Sequence, residues 1–296
     1  MLRIILIILA VILAVILALL VVIFAVSAYE CKRFRVTEYR IVSEKLPQSF
    51  DGYRFLMLAD LHNTCFGNDN DKLLSEIDRL APEEILIAGD MITYGEHEGK
   101  KNHVAISFLN TLARKYRILY GLGNHEMRMK REENEVNSYR RFTKELDGRI
   151  RILDDETVEL ARGGDVLRIA GLTLDSSYFT RFHRRELTAA AIEEKLAPSK
   201  ADNYQILIAH SPEYLDAYAD WGADLVLSGH VHGGIIRLPL LGGVISPRLT
   251  LFPKYDYGRF RKGNTTMLVT GGLGTHFLRL RFLNVPELCV ITLLKK

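Results

Sequence analysis

The sequence of 296 residues has few cysteines and little net charge. The three cysteines, Cys31, Cys65 and Cys289, are odd in number and far apart, so they form neither a CxxC metal motif nor a disulfide framework. They leave the redox compartment undetermined. The formal net charge of +3 is too weak to argue for a nucleic-acid partner, which would require a concentrated basic stripe. We therefore predict a protein with no nucleic-acid partner.

Motifs for two common kinds of catalysis are also missing. The sequence contains no GxSxG element of the kind that presents a catalytic serine, and no P-loop that would cradle the phosphates of a nucleotide. Cys65 has no obvious base beside it in the sequence. A covalent serine or cysteine mechanism and nucleotide-driven work are therefore disfavoured.

The sequence does contain a long apolar run near its start. From Ile4 to Ala28 there is no charged residue, and Ser27 is the only polar one. A helix of this length at about 1.5 Å per residue spans about 37 Å, enough to cross a hydrocarbon core of about 30 Å. A cleavable signal peptide is the rival interpretation, with a tolerable site at Val26–Ala28, but its apolar stretch is usually only about 7–15 residues long. We predict an uncleaved, single-pass transmembrane anchor over residues 1–30.

Positive charge differs between the two ends of this anchor. Lys32, Arg33 and Arg35 follow the apolar run, whereas Arg3 and the α-amino group precede it. The positive-inside rule weakly favours a cytoplasmic catalytic domain, and the side of the membrane stays open.

Small residues recur at every fourth position of the anchor. They are Ala10, Ala14 and Ala18. Small residues at this spacing allow close helix–helix contact in membranes, although alanine is common in such helices in any case. Self-association through this helix is therefore a hypothesis.

After the anchor, short apolar runs alternate with amphipathic helices. Strands are predicted at Phe34–Ser43, Arg54–Ala59, Glu84–Ala88, Arg117–Leu122, Leu167–Leu174, Gln205–Ala209, Leu225–Leu227, Thr266–Val269 and Leu288–Leu293. Helices are predicted at Asp69–Leu80, Val104–Leu112 and Ala189–Leu196. This alternation is typical of an α/β fold whose sheets are buried on both faces. We predict a juxtamembrane segment with a first strand over residues 31–50 and one catalytic domain over residues 51–296.

Five of the predicted strands end in side chains that can bind a metal. These side chains are Asp60 and His62, Asp90, Asn124, His210, and His230 with His232. A lone Asp after an apolar run is usually a helix cap or a turn residue, and a lone His is more often a loop residue than a ligand. Five such strand ends in succession are hard to assign to chance. In α/β sheets, functional residues commonly lie at the carboxyl ends of strands.

The most closely spaced pair is His230 and His232, in the stretch LVLSGHVHGG. In an extended segment, residues i and i+2 point to the same side, so we expect the two imidazoles to converge on one point just past the strand end. A turn that happens to hold two surface histidines is the alternative.

The types of ligand indicate the kind of metal site. Nitrogen and oxygen ligands without a thiolate suit Mn, Fe or Zn better than they suit a structural zinc site. Seven such groups are too many for one ion and suit two ions that share a bridging carboxylate. Two metals about 3.5–4 Å apart can clamp the attacking and leaving oxygens of a phosphoryl transfer.

In order along the chain, these motifs resemble the calcineurin-like metallophosphoesterase family. The matching residues are Asp60-x-His62, Gly89-Asp90, Gly123-Asn124-His125-Glu126, His210 and Gly229-His230-x-His232. The motifs cover residues 55–234 and are highly specific as an ordered set. The anchored N-terminus and the ending Gly263–Leu293 resemble its membrane-anchored bacterial, phosphodiesterase-like branch. The fold that this resemblance implies is two packed mixed β-sheets flanked by helices.

The resemblance also implies roles for the site residues. One metal would be held by Asp60, His62, Asp90 and His232, and the second by Asp90, Asn124, His210 and His230, with Asp90 as the bridge. His125 would face the substrate as a general acid or as a donor to the phosphoryl oxygens. The implied reaction is hydrolysis of a phosphoester, most simply a diester, by a metal-bound hydroxide. A phosphomonoesterase, a pyrophosphatase and a non-catalytic metal-binding protein are the alternatives.

Two further segments are candidates for substrate selection. Met127–Arg149 is rich in both signs of charge and is either a helix over the site or an ordinary solvated helix. Gly233–Gly263 interleaves basic residues with leucines and aromatic residues. Such a segment either dips into an anionic membrane surface or packs on its own domain. The first alternative leads to the hypothesis that the substrate is a lipid-linked or glycolipid phosphoester.

Overall fold

The apolar runs of the sequence form two six-stranded β-sheets. The computed structural model of the chain describes residues 1–94, 102–131, 136–180, 185–200, 202–275 and 279–296. The helices are α1 (Leu2–Glu30), α2 (Asp71–Leu80), α3 (His103–Ala113), α4 (Asn124–Arg131), α5 (Val136–Glu145), α6 (Ala189–Leu196) and α7 (Leu215–Trp221).

The strands are numbered in chain order. They are β1 (Arg35–Ser43), β2 (Arg54–Leu58), β3 (Glu84–Ala88), β4 (Arg117–Gly121), β5 (Ile150–Leu153), β6 (Glu156–Arg162), β7 (Asp165–Leu172), β8 (Tyr204–Ala209), β9 (Leu225–Ser228), β10 (Ile236–Leu238), β11 (Gly242–Ile245), β12 (Gly258–Lys262), β13 (Thr265–Val269) and β14 (Glu287–Lys295). The first sheet has the order β1-β14-β2-β3-β4-β5, and the second has the order β12-β13-β9-β8-β7-β6. Both sheets are mixed, with parallel strands at their centres.

The two sheets pack face to face because their central strands are apolar on both sides. In β2, Phe55 and Met57 point into a core shared with Ile206 and Ile208 of the second sheet. Their neighbour Leu56 points to the opposite face, where it packs among helices α2 and α3. Successive side chains of a strand alternate between faces, so a continuous apolar run fills both cores at once.

Helices cover the outer faces of both sheets. Helices α2 and α3 pack on the first sheet together with Met129 of α4 and Phe142 of α5. Helices α6 and α7 pack on the second sheet, where Trp221 and Ile192 are buried. The result is a four-layered arrangement of helices, sheet, sheet and helices, and the predicted α/β fold with two mixed sheets is confirmed.

Several elements of this fold were not predicted. Helix α7 and the strands β5, β6, β10, β11 and β12 lie in short or polar stretches, where the apolar period is weak. The Met127–Arg149 segment, predicted as one helix, contains the end of α4 and the whole of α5, and its residues 132–135 lie outside the described residues. The Gly233–Gly263 segment contains the β10–β11 hairpin and the whole of β12.

Helix α1 differs from the other helices because its side chains are exposed over nearly its whole length. Among the described residues it is the one helix long and apolar enough to cross a membrane, with a mean hydropathy of 3.8. Its last turn is different, since Ser27 and Glu30 are buried. The backbone N–H of Arg281 donates to Ser27 Oγ at 3.0 Å, and that of Asn284 donates to Glu30 Oε2 at 2.9 Å. The end of the apolar helix is thus fastened to the segment that precedes β14.

Candidate metal centre

The carboxyl ends of β2, β3, β4, β8 and β9 converge between the two sheets, and the predicted ligands follow these ends. The backbone N–H of Asp60 donates to Gly89 O at 3.0 Å, which joins the loops after β2 and β3. The backbone N–H of Gly229 donates to His210 O at 3.0 Å, which joins the loops after β9 and β8. His210 Nδ1 lies 2.6 Å from Ala88 O and links the two sheets.

The first group of potential ligands is Asp60, His62 and His232, all of them buried. Asp60 Oδ1 lies 3.3 Å from His232 Nε2 and 4.0 Å from His62 Nε2. The Nε2 atoms of His62 and His232 lie 3.2 Å apart, and their rings are stacked. One carboxylate and two imidazoles therefore present their ligand atoms to a common point.

The second group is Asp90, His210 and His230, which are also buried. Asp90 Oδ2 lies 2.9 Å from His210 Nε2. Burial would lower the pKa of His210, but the carboxylates of Asp90 and Asp60 outweigh it and raise this pKa to about 10. Nδ1–H donates to the carbonyl of Ala88, and Nε2–H faces the carboxylate of Asp90, where a bound cation would replace the Nε2 proton. A ligating histidine commonly donates its other ring N–H to a carbonyl in this way.

Asp90 lies between the two groups. Its Oδ2 is 2.9 Å from His210 Nε2 of the second group and 4.0 Å from His62 Nε2 of the first. Its Oδ1 accepts a hydrogen bond from the backbone N–H of His125 at 2.8 Å. Burial would raise the pKa of Asp90, but His210, His125 and His62 outweigh it and hold this pKa well below its usual range.

Asn124 begins helix α4 next to His125. Its Oδ1 atom is buried, and no hydrogen-bond donor within the described part of the chain reaches it. An unsatisfied buried amide oxygen is costly unless something else compensates it. A cation would do so, and the surrounding carboxylates and imidazoles are the donors that Mn, Fe and Zn accept. The residues present therefore fit a metal site.

His125 lies at the edge of the cluster and lines the cleft above it. Its Nδ1 accepts a hydrogen bond from the backbone N–H of Tyr94 at 2.7 Å, so in the neutral ring the proton is on Nε2. The same side chain forms a third overlapping group with His62 and Asp90. The geometry alone thus allows it to act either as a donor or as a ligand.

Most of these residues have an uncommon backbone conformation. The angle φ is positive at Asp60 (53°), His62 (45°), Asp90 (53°), His230 (72°) and His232 (56°). The left-handed region is uncommon for residues other than glycine, and such conformations cost about 1–3 kcal/mol each. The chain thus turns sharply after each strand, and the surrounding structure must stabilise these turns.

The expectation that His230 and His232 converge on one point from an extended segment is wrong. Both residues are left-handed rather than extended. Their side chains join different groups, His232 with Asp60 and His230 with Asp90. The turn after β9 redirects each imidazole separately, so the i, i+2 rule for strands does not apply.

Two glycines allow the loops to approach the carboxylates. A Cβ added at Gly123 would lie 2.2 Å from Asp90 Oδ1, and one added at Gly229 would lie 2.4 Å from Asp60 Oδ2. Both distances are far shorter than a van der Waals contact. These positions therefore need glycine because of the carboxylates beside them.

Sequence reasoning gave no role to Glu126, which is fully buried. Its carboxylate accepts hydrogen bonds from the backbone N–H groups of Asp90 (3.0 Å), Met91 (2.9 Å) and Gly123 (3.0 Å), and from the hydroxyl of Tyr120 (2.6 Å). Burial and the charge of Asp90 raise the pKa of Glu126 to about 7. The bond from Gly123 is one half of a capping box at the start of α4, but glycine stands where the usual sequence signal has Ser, Thr, Asp or Asn.

Sequence reasoning also missed Asn284, which lies 52 positions after His232. Its side-chain amide donates to His232 O at 2.6 Å and also to Gly234 O. Asn284 therefore holds the loop that carries two of the histidines. No local pattern could have found it, because the contact joins remote parts of the chain.

A cleft of about 1430 Å³ opens over the metal-ligand cluster. His125, Asn124 and His230 line it, as do three arginines, Arg128, Arg248 and Arg279. Arg248 comes from the Gly233–Gly263 segment, and its Nη1 lies 3.4 Å from His230 Nε2. Cys31, the residue directly after α1, also lines the cleft, which therefore extends from the cluster to the end of the apolar helix.

The sequence matches proteins that are already known. A profile described as calcineurin-like phosphoesterase matches residues 53–234. The metallophosphoesterase YkuE of Bacillus subtilis is 28% identical over 271 residues, which cover 87% of this chain and 84% of that protein. The phosphodiesterase YaeI of Escherichia coli is 26% identical over 255 residues, covering 81% and 82%. A transmembrane protein with a metallophosphoesterase domain from Danio rerio is 23% identical over 276 residues, covering 88% and 57%.

The buried contacts of Glu126 generate a test of how the cluster is held. In Glu126→Gln an amide NH2 replaces one acceptor oxygen, so at least one buried N–H loses its partner. We expect the free energy of unfolding to fall by about 1–3 kcal/mol. Urea unfolding of the detergent-solubilised full chain, followed by the fluorescence of Trp221, measures this change.

Glu193→Gln on the exposed face of α6 is the matched control, and it should change the free energy of unfolding by less than about 0.5 kcal/mol. Equal stability of the two variants would contradict the role assigned to Glu126.

Proposed function

The chain belongs to the calcineurin-like phosphoesterase family, and we propose that it is a phosphodiesterase that acts at a membrane surface. The observation that carries this proposal is the pair of buried ligand groups on either side of Asp90. Membership of the family makes the chain a metal-dependent phosphoric ester hydrolase. The diester, the metals and the membrane substrate are the proposed part.

The proposed ligands of the first cation are Asp60, His62, Asp90 and His232, and those of the second are Asp90, Asn124, His210 and His230. The proposed metals are Mn, Fe or Zn, because the donors are imidazole nitrogens and carboxylate or amide oxygens. Two such cations supply Lewis-acid charge for the phosphoryl oxygens and make an attacking water more acidic. The orphaned Oδ1 of Asn124 supports its inclusion as a ligand.

His125 is the proposed catalytic residue. The backbone N–H of Tyr94 fixes its ring through Nδ1, which keeps the proton on Nε2. From the wall of the cleft this N–H can donate a hydrogen bond to a phosphoryl oxygen. Proton transfer to the leaving oxygen instead requires the imidazolium, in which Nδ1 is also protonated and no longer accepts from Tyr94.

The arginines of the cleft support an anionic substrate larger than phosphate itself. Arg128, Arg248 and Arg279 line a space of about 1430 Å³. Guanidinium groups bind phosphate oxygens through paired hydrogen bonds. A diester, with a group on each side of the phosphorus, suits a cleft that continues beyond the cluster. A phosphomonoesterase or pyrophosphatase of the same fold is the alternative function, and a non-catalytic metal-binding protein is a further one.

The position of the cleft supports a substrate presented by the membrane. It extends to Cys31, where the apolar helix ends, and Arg248 in its wall belongs to the basic, leucine-rich segment Gly233–Gly263. We therefore propose a lipid-linked or glycolipid phosphoester. The charge asymmetry around α1 favours the cytoplasmic side for the catalytic domain.

The proposed domain division has three parts: an anchor at 1–30, a juxtamembrane segment at 31–50 and a catalytic domain at 51–296. Strand β1 of the juxtamembrane segment pairs with β14 of the catalytic domain.

The role of His125 predicts the behaviour of His125→Asn. We expect kcat for a phosphodiester to fall by about 10²–10⁴-fold while bound metal is unchanged, because a proton donor is lost and no ligand is. If His125 protonates the leaving oxygen, the loss is greater for a phenyl than for a 4-nitrophenyl diester. If it only donates a hydrogen bond to the phosphoryl group, the two losses are equal.

His103→Asn, at an exposed position in the first turn of α3, is the control and should leave kcat unchanged. Full activity of His125→Asn with both substrates would remove His125 from the mechanism. Hydrolysis assays of the wild type with a phosphodiester, a phosphomonoester and a pyrophosphate decide between the candidate functions. If none of the three is hydrolysed, a non-catalytic metal-binding protein is favoured.

The membrane substrate predicts a difference between two diesters. The full chain in phosphatidylglycerol-containing liposomes should hydrolyse a bilayer-embedded diester with a lower KM than a soluble one. Lys254→Glu should raise KM only for the embedded diester, because an anionic side chain weakens attraction to the anionic surface. Lys200→Glu is the control, because Lys200 precedes the amino end of β8, whereas the candidate metal ligands follow the carboxyl ends of the strands. Equal hydrolysis of both diesters, unaffected by Lys254→Glu, would refute the proposal.

Self-association through α1 is a separate proposal. Ala10, Ala14 and Ala18 are exposed on the helix and recur at the spacing of close helix contacts. Ala14→Ile should reduce the crosslinked dimer of the full chain in membranes, whereas Leu13→Ile should not. An unchanged dimer in Ala14→Ile would eliminate this contact.

A further inference from the structure

We propose that the β10–β11 hairpin and the turn beside it form a second membrane contact, in which apolar side chains enter the lipid surface next to α1. These side chains are Leu240, Leu241, Leu251 and Phe252, which we call the apolar tip. The inference deepens the proposed function, since it concerns how the cleft meets the bilayer, but the contact itself does not depend on catalysis.

The first observation is the exposure of the apolar tip. Leu240 is fully exposed, and Leu241, Leu251 and Phe252 are 63%, 65% and 58% exposed. Among the described residues after position 30, six of the seven strongly exposed large apolar side chains lie between positions 240 and 283. Soluble surfaces rarely concentrate apolar side chains in this way, and such patches mark contacts with membranes or proteins.

The second observation is a continuous hydrogen-bonded connection from the hairpin to α1. The backbone N–H of Phe282 donates to Ile235 O, and that of Arg237 donates to Phe282 O, both at 3.0 Å. The neighbouring residues Arg281 and Asn284 donate to Ser27 and Glu30 in the last turn of α1. The hairpin therefore shares a support with the point where the apolar helix ends.

The dimensions of the hairpin are consistent with this position. Leu240 lies four positions after Ile236, which bridges to Phe282. At about 3.3 Å per residue, Leu240 lies within about 13 Å of Ile236, which is paired with the segment that contacts α1. A helix that crosses a bilayer thus brings the apolar tip to the depth of the headgroups.

The charges around the apolar tip suit an anionic surface. Arg237 at its base is neutralised by Asp256, at 2.8 Å. Lys254 follows Phe252 by two positions and lies over the ring of Tyr255, at 4.7 Å. Leucines and an aromatic residue beside a lysine are typical of segments that lie at the lipid–water interface.

A lipid surface is favoured over a second copy of the chain as the occupant. Stable protein interfaces bury about 800 Å² on each partner, and a patch of four side chains on a narrow hairpin falls short of that area. Continuity with α1 also points to the bilayer. The consequence is that Arg248, which lies in sequence between Leu241 and Leu251 of the apolar tip, lines a cleft whose mouth faces the headgroups.

Tryptophan fluorescence tests this membrane contact and does not depend on hydrolysis of a phosphoester. Leu240→Trp in the full chain is reconstituted in liposomes of phosphatidylcholine and phosphatidylglycerol, with or without bromine on the acyl chains. We expect bromine to quench the added tryptophan several-fold more than it quenches the control. The single native tryptophan, Trp221 at the end of α7, is buried, and its signal is subtracted with the wild type.

Val42→Trp is the matched control, because Val42 is an apolar residue that is 50% exposed. It lies seven positions along β1 from Arg35, or about 23 Å from the end of the strand nearest α1. Phe252→Trp is a second probe of the apolar tip and should be quenched as Leu240→Trp is. Quenching of both probes no stronger than in Val42→Trp overturns the proposal. A blue-shifted emission without bromine quenching also overturns it, since the apolar tip would then be covered by protein.

Discussion

The structure depends on keeping the carboxylates of Asp60 and Asp90 buried between two β-sheets. Each accepts backbone N–H bonds, from His230 to Asp60 and from His125 to Asp90, and each faces the imidazole of His210. Buried carboxylates are costly unless they are paired or coordinate a metal. The glycines beside them and the left-handed turns after the strands let donor groups approach these two acids. The carboxylate of Glu126 holds the backbone of Asp90 and Gly123 in place behind them.

The rigid part of this arrangement is the pair of sheets, and the strained part is the set of loops at their carboxyl ends. Strands such as β3 and β8 are buried along their whole length, so their ends are fixed in position. The loops can then hold left-handed residues because buried contacts on both sides determine their path. The same edge of the fold receives the last turn of α1 through Arg281 and Asn284. The candidate metal ligands, the cleft and the apolar helix are therefore parts of one connected region.

The sequence predicted what depends on local pattern and missed what depends on remote contact. Glu84–Ala88 and Ala189–Leu196 were predicted with the bounds that the structure has, because apolar period and flanking signals are local. The ordered Asp, Asn and His motifs predicted which side chains the fold would gather. The divergence of His230 and His232 was missed, since an alternation rule for strands cannot anticipate left-handed turns. Asn284 and the buried Ser27 act across the chain, and their roles appear only when the fold brings them together.

Anomalous diffraction from crystals of the full chain grown with Mn locates each cation against its ligands. We expect two peaks about 3.5–4 Å apart on either side of Asp90, one beside Asp60, His62 and His232 and the other beside Asn124, His210 and His230. A map with no peak at Asp90 after Mn or Zn is supplied, or with a single peak that His232 and His230 share, would contradict this expectation.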